Sequence, residues 1–322
     1  MEKRYSNLAK ARLLLRQILP RKGLFGQIFF TVKCNLRCDY CKVVERKTKD
    51  ISLEEWKKII AKMASWGVTY ISITGGESVI RKDLEDLVSY LKQLYIFSKL
   101  NSNGMLLTEE RIESLAQAGL CSLAISLDSL GDGKKIKNDS ARVFELLSYA
   151  KERGIIAEAR AVMNPSDPLK TLALAEKTVG RGFFFGFGTL QAVGGLFSKP
   201  LRQSPVIGGM AQDRHGIWLP AHLFQVTDYS GKWKCDPQRD RWITVGNDGT
   251  LMACQEWGSN IPILEIKNLE DPRWRTHKSE AVAQCPGCYY DCYFSQEAAR
   301  KHLFATLKAE SRSLRAAWPM LN

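Results

Sequence analysis

The chain alternates short apolar runs with stretches whose apolar residues recur at helical spacing. Runs at 27–32, 70–74, 97–101, 122–127, 155–163 and 183–190 predict six strands. Between them, residues 52–66, 83–93, 108–118, 141–153 and 169–179 predict helices. Ser52 and Glu55 have the spacing of a capping box, in which each side chain bonds the other residue's backbone amide and opens the first of these helices. Strands that alternate with helices imply parallel pairing through crossovers, so the expected fold class is α/β. Six units are too few to close an eight-fold barrel; residues 24–194 therefore predict a partial (β/α)6 TIM-like barrel. Glycine-rich and polar punctuation falls just after the strands, at the edge where parallel α/β folds bind ligands.

The flanking segments read differently. Residues 6–19 place Leu8, Ala11, Leu15 and Ile18 on one helical face with Arg12 and Arg16 elsewhere, so residues 1–23 predict a basic amphipathic helix. It is either a bracket packed on the barrel, as most amphipathic helices are, or a peripheral contact for an anionic membrane. Residues 195–234 have weak periodicity and many Gly, Pro and Ser, as in a linker or covering segment. Residues 235–295 predict a small cysteine-rich domain with little helix and one hairpin, its strands at 242–245 and 250–253 around Asn247, Asp248 and Gly249. Residues 296–322 predict a basic C-terminal helix.

Composition sharpens this picture. The 322 residues are 45% hydrophobic and 25% charged, which excludes wholesale disorder. No apolar run approaches a membrane span and no signal peptide is recognisable, so the expected compartment is the cytoplasm. The net charge is +13, and residues 1–50 carry thirteen basic against four acidic side chains. A charge so localised does not predict general nucleic-acid binding. Nine cysteines in such a chain argue against a disulfide framework, and their grouping points to metal.

Cys34, Cys38 and Cys41 form a Cys-x3-Cys-x2-Cys motif directly after the first strand. Three thiolates on one loop suit three corners of an iron–sulfur cluster and leave one iron open. A zinc site would want a fourth protein ligand close by, and none of the four His residues is near. With aromatic Tyr40 before its last cysteine, the motif resembles the signature of radical S-adenosylmethionine (SAM) enzymes. In that family the open iron is chelated by SAM, and one electron from the cluster releases a 5′-deoxyadenosyl radical. The resemblance covers residues 24 to about 190 and implies roles for further strand-end residues. Gly75, Gly76 and Glu77 look like the GGE motif that holds the SAM amino group. Ser102 and Asn103 lie in a turn similar to the family's TNG. Ser126 and Asp128 look like its IS-x-D-S strand end, near the SAM carboxylate or ribose. Arg160 is a plausible carboxylate partner, since guanidinium suits bidentate pairing. Ser78 departs from the family, which usually has Pro there.

Cys235 and Cys254, with Gly249 five residues before the latter, resemble the opening element of the SPASM and twitch extensions of radical SAM enzymes. Cys285, Cys288 and Cys292 follow. The resemblance implies one auxiliary 4Fe–4S cluster, since there is one cysteine too few for two. Five thiols compete for four positions, with Cys292 either spare or replacing Cys285. A four-cysteine zinc site is the alternative. Cys121 reads as a small buried residue.

These readings together predict a radical SAM enzyme that abstracts hydrogen from a small or medium-sized substrate, fed by a flavodoxin- or ferredoxin-type donor. The short segment before the first strand tilts the expectation away from a leader peptide. A peptide- or protein-modifying maturase is the alternative, and a zinc-holding nucleic-acid binder is the alternative of another class. Glu158 shares a strand face with Arg160 and is a candidate for substrate contact, or else part of a structural ion pair. The three Phe at 183–185 read as strand core.

Overall fold

The computed structural model describes residues 24–38, 41, 43–127, 140–163, 168–189, 217–218, 234–240, 242–255 and 257–285. The expected helices at 1–23 and 296–322, most of 195–234, and Tyr40, Asp128, Cys288 and Cys292 lie outside these residues. The chain order begins with β1 (Leu24–Thr31), α1 (Leu53–Ser65), β2 (Val68–Gly75), α2 (Leu84–Gln93), β3 (Phe97–Ser102) and α3 (Glu109–Ala118). Next come β4 (Ser122–Ser126), α4 (Ser140–Glu152), β5 (Ile156–Met163), α5 (Pro168–Val179), β6 (Phe184–Thr189) and β7 (Ile217–Trp218). Then follow β8 (Trp242–Val245), β9 (Thr250–Met252), β10 (Gly258–Pro262) and α6 (Pro272–Gln284).

Two compact units divide the chain. The first comprises Met1–Ser102, Ser114–Cys121 and Asp236–Cys285. Its strands run β10-β9-β8-β1-β2-β3, with β1 parallel to both β2 and β8 and the last hairpins antiparallel. Ile28, Phe29 and Phe30 of β1 are all buried, as a strand covered on both faces requires. Helix α1 forms where Ser52 and Glu55 complete their capping box, and it buries Trp56, Ile59, Ile60 and Met63 at helical spacing. At the amino-terminal ends of the strands, Trp242 stacks on Phe25 at 5.8 Å and Tyr70 on Phe97 at 5.6 Å. This aromatic row consolidates the edge opposite the cysteine loop, leaving the carboxyl edge for chemistry.

The second unit comprises Asn103–Glu113, Ser122–Cys235 and Pro286–Asn322. Its strands run parallel in the order β4-β5-β6-β7. Helix α4 buries Val143, Phe144, Leu146, Leu147 and Ala150, and Phe144 stacks on Phe183 at 6.0 Å. Phe183, Phe184 and Phe185 are core residues, as their run predicted.

Two features differ from the sequence expectation for the cysteine-rich segment. Little helix was expected there, yet α6 is a 13-residue helix with Asp271 as N-cap and Pro272 in its first turn. Its inward residues are Trp274, Lys278 and Ala281, so a lysine sits in the stripe that hydrophobic periodicity would mark. That lysine is buried because Asp240 accepts from it at 2.5 Å and from Arg275 at 2.6 Å. Moreover, the hairpin expected to belong to a domain of its own continues the first sheet, through β8 beside β1.

Candidate cofactor site

In the first unit, β1 ends with a register irregularity between Phe29 and Thr31, and the chain leaves its carboxyl end into the loop of Cys34, Cys38 and Cys41. All three thiols are half-buried. The loop is ordered from within, since the Cys41 amide donates to the Cys38 carbonyl at 2.9 Å and the Leu36 amide to Cys34 Sγ at 3.4 Å. Among the described residues no three His, Cys, Asp or Glu side chains converge tightly enough for a single metal ion. Three half-buried thiols on one loop match the donor set of an iron–sulfur cube, for which thiolate is the ligand.

Gly75 and Gly76, at the end of β2, lie against this loop's root. A Cβ on Gly75 would overlap the Thr31 carbonyl, and one on Gly76 the Lys33 carbonyl. Gly75 also has φ of 136°, a region that L side chains rarely adopt. The amides that follow are spent on the same contact: Gly76 donates to Thr31 O and Glu77 to Lys33 O, each at 2.8 Å. The two glycines therefore let β2 press against the backbone just before Cys34.

Glu77 is 0% exposed. Its Oε1 accepts from the Ser102 hydroxyl at 3.0 Å and from the Val79 amide at 3.1 Å. A buried carboxylate held by donors at its rim is the chemistry that suits a cationic ammonium ligand. Ser102, at the end of β3, thus orients Glu77, and Asn101 braces β2 through Ser72 Oγ and the Ile73 carbonyl. Ser78, where the family usually has Pro, is buried and donates its hydroxyl to the Thr74 carbonyl at 3.0 Å. Arg81 donates to the Phe30 and Ile51 carbonyls and pairs with Asp83 at 2.6 Å. The hydrogen bonds from Arg81 to Asp83 hold the Asp83 carboxyl below its usual range.

In the second unit, Ser126 ends β4 and pairs in register with Arg160 of β5. The Leu127 amide donates to the Arg160 carbonyl at 2.8 Å. Glu158 and Arg160 share a face, as their spacing predicted, with Arg160 Nη1 3.5 Å from Glu158 Oε1. The Glu158 side chain is 3% exposed and that of Arg160 34%. Opposite Arg160 lies Gly186 of β6, where a Cβ would overlap Glu158 Oε1. Asn103 turns on itself, its Oδ1 accepting from the Met105 amide at 2.9 Å.

Cys235, Cys254 and Cys285 are half-buried, and Cys285 is the C-cap of α6. Cys121 is buried. Sequence reasoning passed over Asp50, Thr31 and Asn247, which tie the root of the cysteine loop to the β8–β9 hairpin. Asn247 read only as a turn residue, and nothing in a sequence reveals that its side chain is 1% exposed.

Comparison with known proteins accords with this geometry. The Radical SAM superfamily profile matches residues 28–175. The PqqA peptide cyclase of Methylocella silvestris is 31% identical over 283 residues, covering 79% of this chain and 73% of that protein. This chain belongs to the Radical SAM superfamily. The PqqA peptide cyclase of Bradyrhizobium diazoefficiens is 32% identical over 142 residues, only 37% of its own length. Three further PqqA peptide cyclases are matched over 26% to 33% of theirs. A GTP 3′,8-cyclase of Aquifex aeolicus is 32% identical over 153 residues, covering 42% of this chain and 47% of that protein. Streptococcus suis SuiB has a similar fold, with a TM-score of 0.62 at 18% identity over 88% of this chain and 76% of that one. Its likeness bears out the α/β class with parallel strands.

Proposed function

We propose that this chain is a radical SAM enzyme that abstracts hydrogen from its substrate. The observation that carries the reading is the placement of Cys34, Cys38 and Cys41 at the carboxyl end of β1, with buried Glu77 at the same end of neighbouring β2. When bound, a 4Fe–4S cluster on those thiolates and SAM at its open iron supply the 5′-deoxyadenosyl radical. Glu77 holds the SAM ammonium, and Ser102 fixes the carboxylate that does so. Gly75 and Gly76 allow the close approach of β2 to the loop. By their place in the motifs, Ser126 and Arg160 are proposed to contact the SAM carboxylate or ribose, and Tyr40, Asn103 and Asp128 are proposed as further SAM contacts. Glu158 is proposed as a substrate contact, held by Arg160.

Cys235, Cys254, Cys285, Cys288 and Cys292 are proposed to supply the four ligands of one auxiliary 4Fe–4S cluster, with either Cys285 or Cys292 left over. Two substrate classes have support. The PqqA peptide cyclase relatives favour a peptide. The GTP 3′,8-cyclase relative favours a small molecule. The electron donor is a flavodoxin- or ferredoxin-type protein. Among the described residues no helix is long and apolar enough to cross a membrane. We place the enzyme in the cytoplasm, where its thiols stay reduced. The basic segment 1–23 brackets the barrel in this reading; contact with an anionic membrane would instead show as cosedimentation with anionic vesicles.

The test is iron and substrate together. Anaerobically reconstituted protein should hold about eight irons, and Cys235→Ala or Cys254→Ala about four. Deuterium from a labelled substrate should appear in 5′-deoxyadenosine. Protein that binds zinc and no iron would overturn the reading.

A further inference from the structure

A polar cluster fastens the root of the three-cysteine loop. Asp50 stands where the loop returns to the body of the first unit. Its Oδ2 accepts from the Thr31 hydroxyl at 2.6 Å. Its Oδ1 accepts from the Val32 amide at 3.1 Å and from Asn247 Nδ2 at 2.9 Å. Thr31 Oγ1 in turn accepts from the Lys33 amide at 3.0 Å, one residue before Cys34. Asn247 Oδ1 accepts from the Thr48 hydroxyl at 2.7 Å, and the Asn247 carbonyl from the Ile51 amide at 2.9 Å. Further along the returning arm, Arg46 lies over the Phe29 ring and donates to the carbonyl of Gln255, the residue after Cys254.

Residues 31–33 leave β1 and residues 46–51 return, and Asp50 locks the two arms together. The same carboxylate bonds the hairpin that carries Cys254. Thr31 and Asn247 are 0% and 1% exposed, so water does not stand in for these bonds. A carboxylate suits the position because all three of its partners are donors.

We propose that Asp50 is a positioning residue for the first cluster. It sets the approach of the Cys34, Cys38 and Cys41 thiolates by locking the loop's arms. Through Asn247 and Arg46 the loop and the Cys254 hairpin then move as one hydrogen-bonded piece. The proposal rests on the radical SAM reading above. Outer partners that orient ligands typically change metal affinity about 10- to 100-fold.

The test uses the full chain, reconstituted anaerobically with iron and sulfide, as wild type, Asp50→Ala, Asp50→Asn and Thr31→Val. Two quantities are read: the rate of iron release to a chelator, and the change that SAM makes to the electron paramagnetic resonance signal of the reduced protein. Asp50→Ala should release iron about tenfold faster and lose the SAM-dependent change. Asp50→Asn keeps an acceptor for Val32 and Asn247 and loses only the acceptor of the Thr31 hydroxyl, so both readouts should lie clearly nearer wild type than in Asp50→Ala. Thr31→Val removes one of the three bonds to Asp50 together with the acceptor of the Lys33 amide, and should fall between wild type and Asp50→Ala; it carries the test if Asp50→Ala does not fold. Wild-type release rates and signals in both Asp50→Ala and Thr31→Val would overturn the proposal. So would equal damage in Asp50→Ala and Asp50→Asn. A wild-type protein that takes up no iron would instead remove the reading beneath it, so the two failures are told apart.

Discussion

Gly76 in the first unit and Gly186 in the second both occupy places where a methyl group would collide, but with different neighbours. At Gly76 the obstacle is backbone, the Lys33 and Val32 carbonyls that lead into the cysteine loop. At Gly186 the obstacles are side-chain ends, those of Glu158 and Arg160. Backbone held at the loop's root by the Gly76 and Glu77 amide hydrogen bonds does not readily give way, whereas a carboxylate tip rotates. The first unit is thus a frame built to hold a loop, and the second keeps room beside β5 for two charged side chains. Polar groups follow the same division: Asp50 and Asn247 are spent on fastening, while Arg160 remains 34% exposed in its side chain.

Several substitutions break or sharpen this contrast. The largest effect is expected from Cys34→Ala, Cys38→Ala or Cys41→Ala, each of which should abolish SAM cleavage in reduced protein, as read by chromatography of 5′-deoxyadenosine. Gly76→Ala should come next, costing about 3 kcal/mol in denaturant unfolding and lowering iron uptake, because the loop's root must shift. Gly186→Ala should cost only about 1 kcal/mol and leave iron uptake intact, its effect falling on substrate turnover. If the two glycine variants behave alike, the distinction between frame and reserved space is lost.

Smaller effects concern the frame alone. Tyr95, 62% exposed, adopts φ of 55° just after α2, a conformation that costs a non-glycine residue about 1 kcal/mol. Tyr95→Gly should therefore raise stability slightly, by about 0.5 kcal/mol once glycine's entropy is counted. The smallest effect is a pH dependence. Arg81 holds the Asp83 carboxyl below its usual range, so the pair's contribution is present above about pH 4 and lost as pH falls through the lowered folded value. The difference in melting temperature between wild type and Asp83→Asn should shrink across that interval.

Much of the frame was legible because its signals are local. The capping box of Ser52 and Glu55, the alternation of strands and helices, and the spacing of three cysteines after a strand each depend on neighbours in sequence. The hairpin at Asn247–Gly249 was legible for the same reason, though not its parallel attachment to β1, which joins residues far apart in the chain. Helix α6 escaped notice because its buried stripe contains Lys278, whose partner Asp240 is 38 residues away. At the site, Glu77 could be singled out by its motif, but its burial and its bond to Ser102 belong to the folded chain. Asp50 had no signature at all, being one carboxylate in a charged stretch until Thr31, Val32 and Asn247 converge on it.

The β1 loop is proposed to hold a cluster with one iron reserved for SAM. The most direct test reduces anaerobically reconstituted protein in the presence of SAM and follows both products by liquid chromatography. Wild type should yield methionine and 5′-deoxyadenosine in equal amounts, and Cys38→Ala neither. Intact SAM in a wild-type sample that carries its full complement of iron would contradict the proposal.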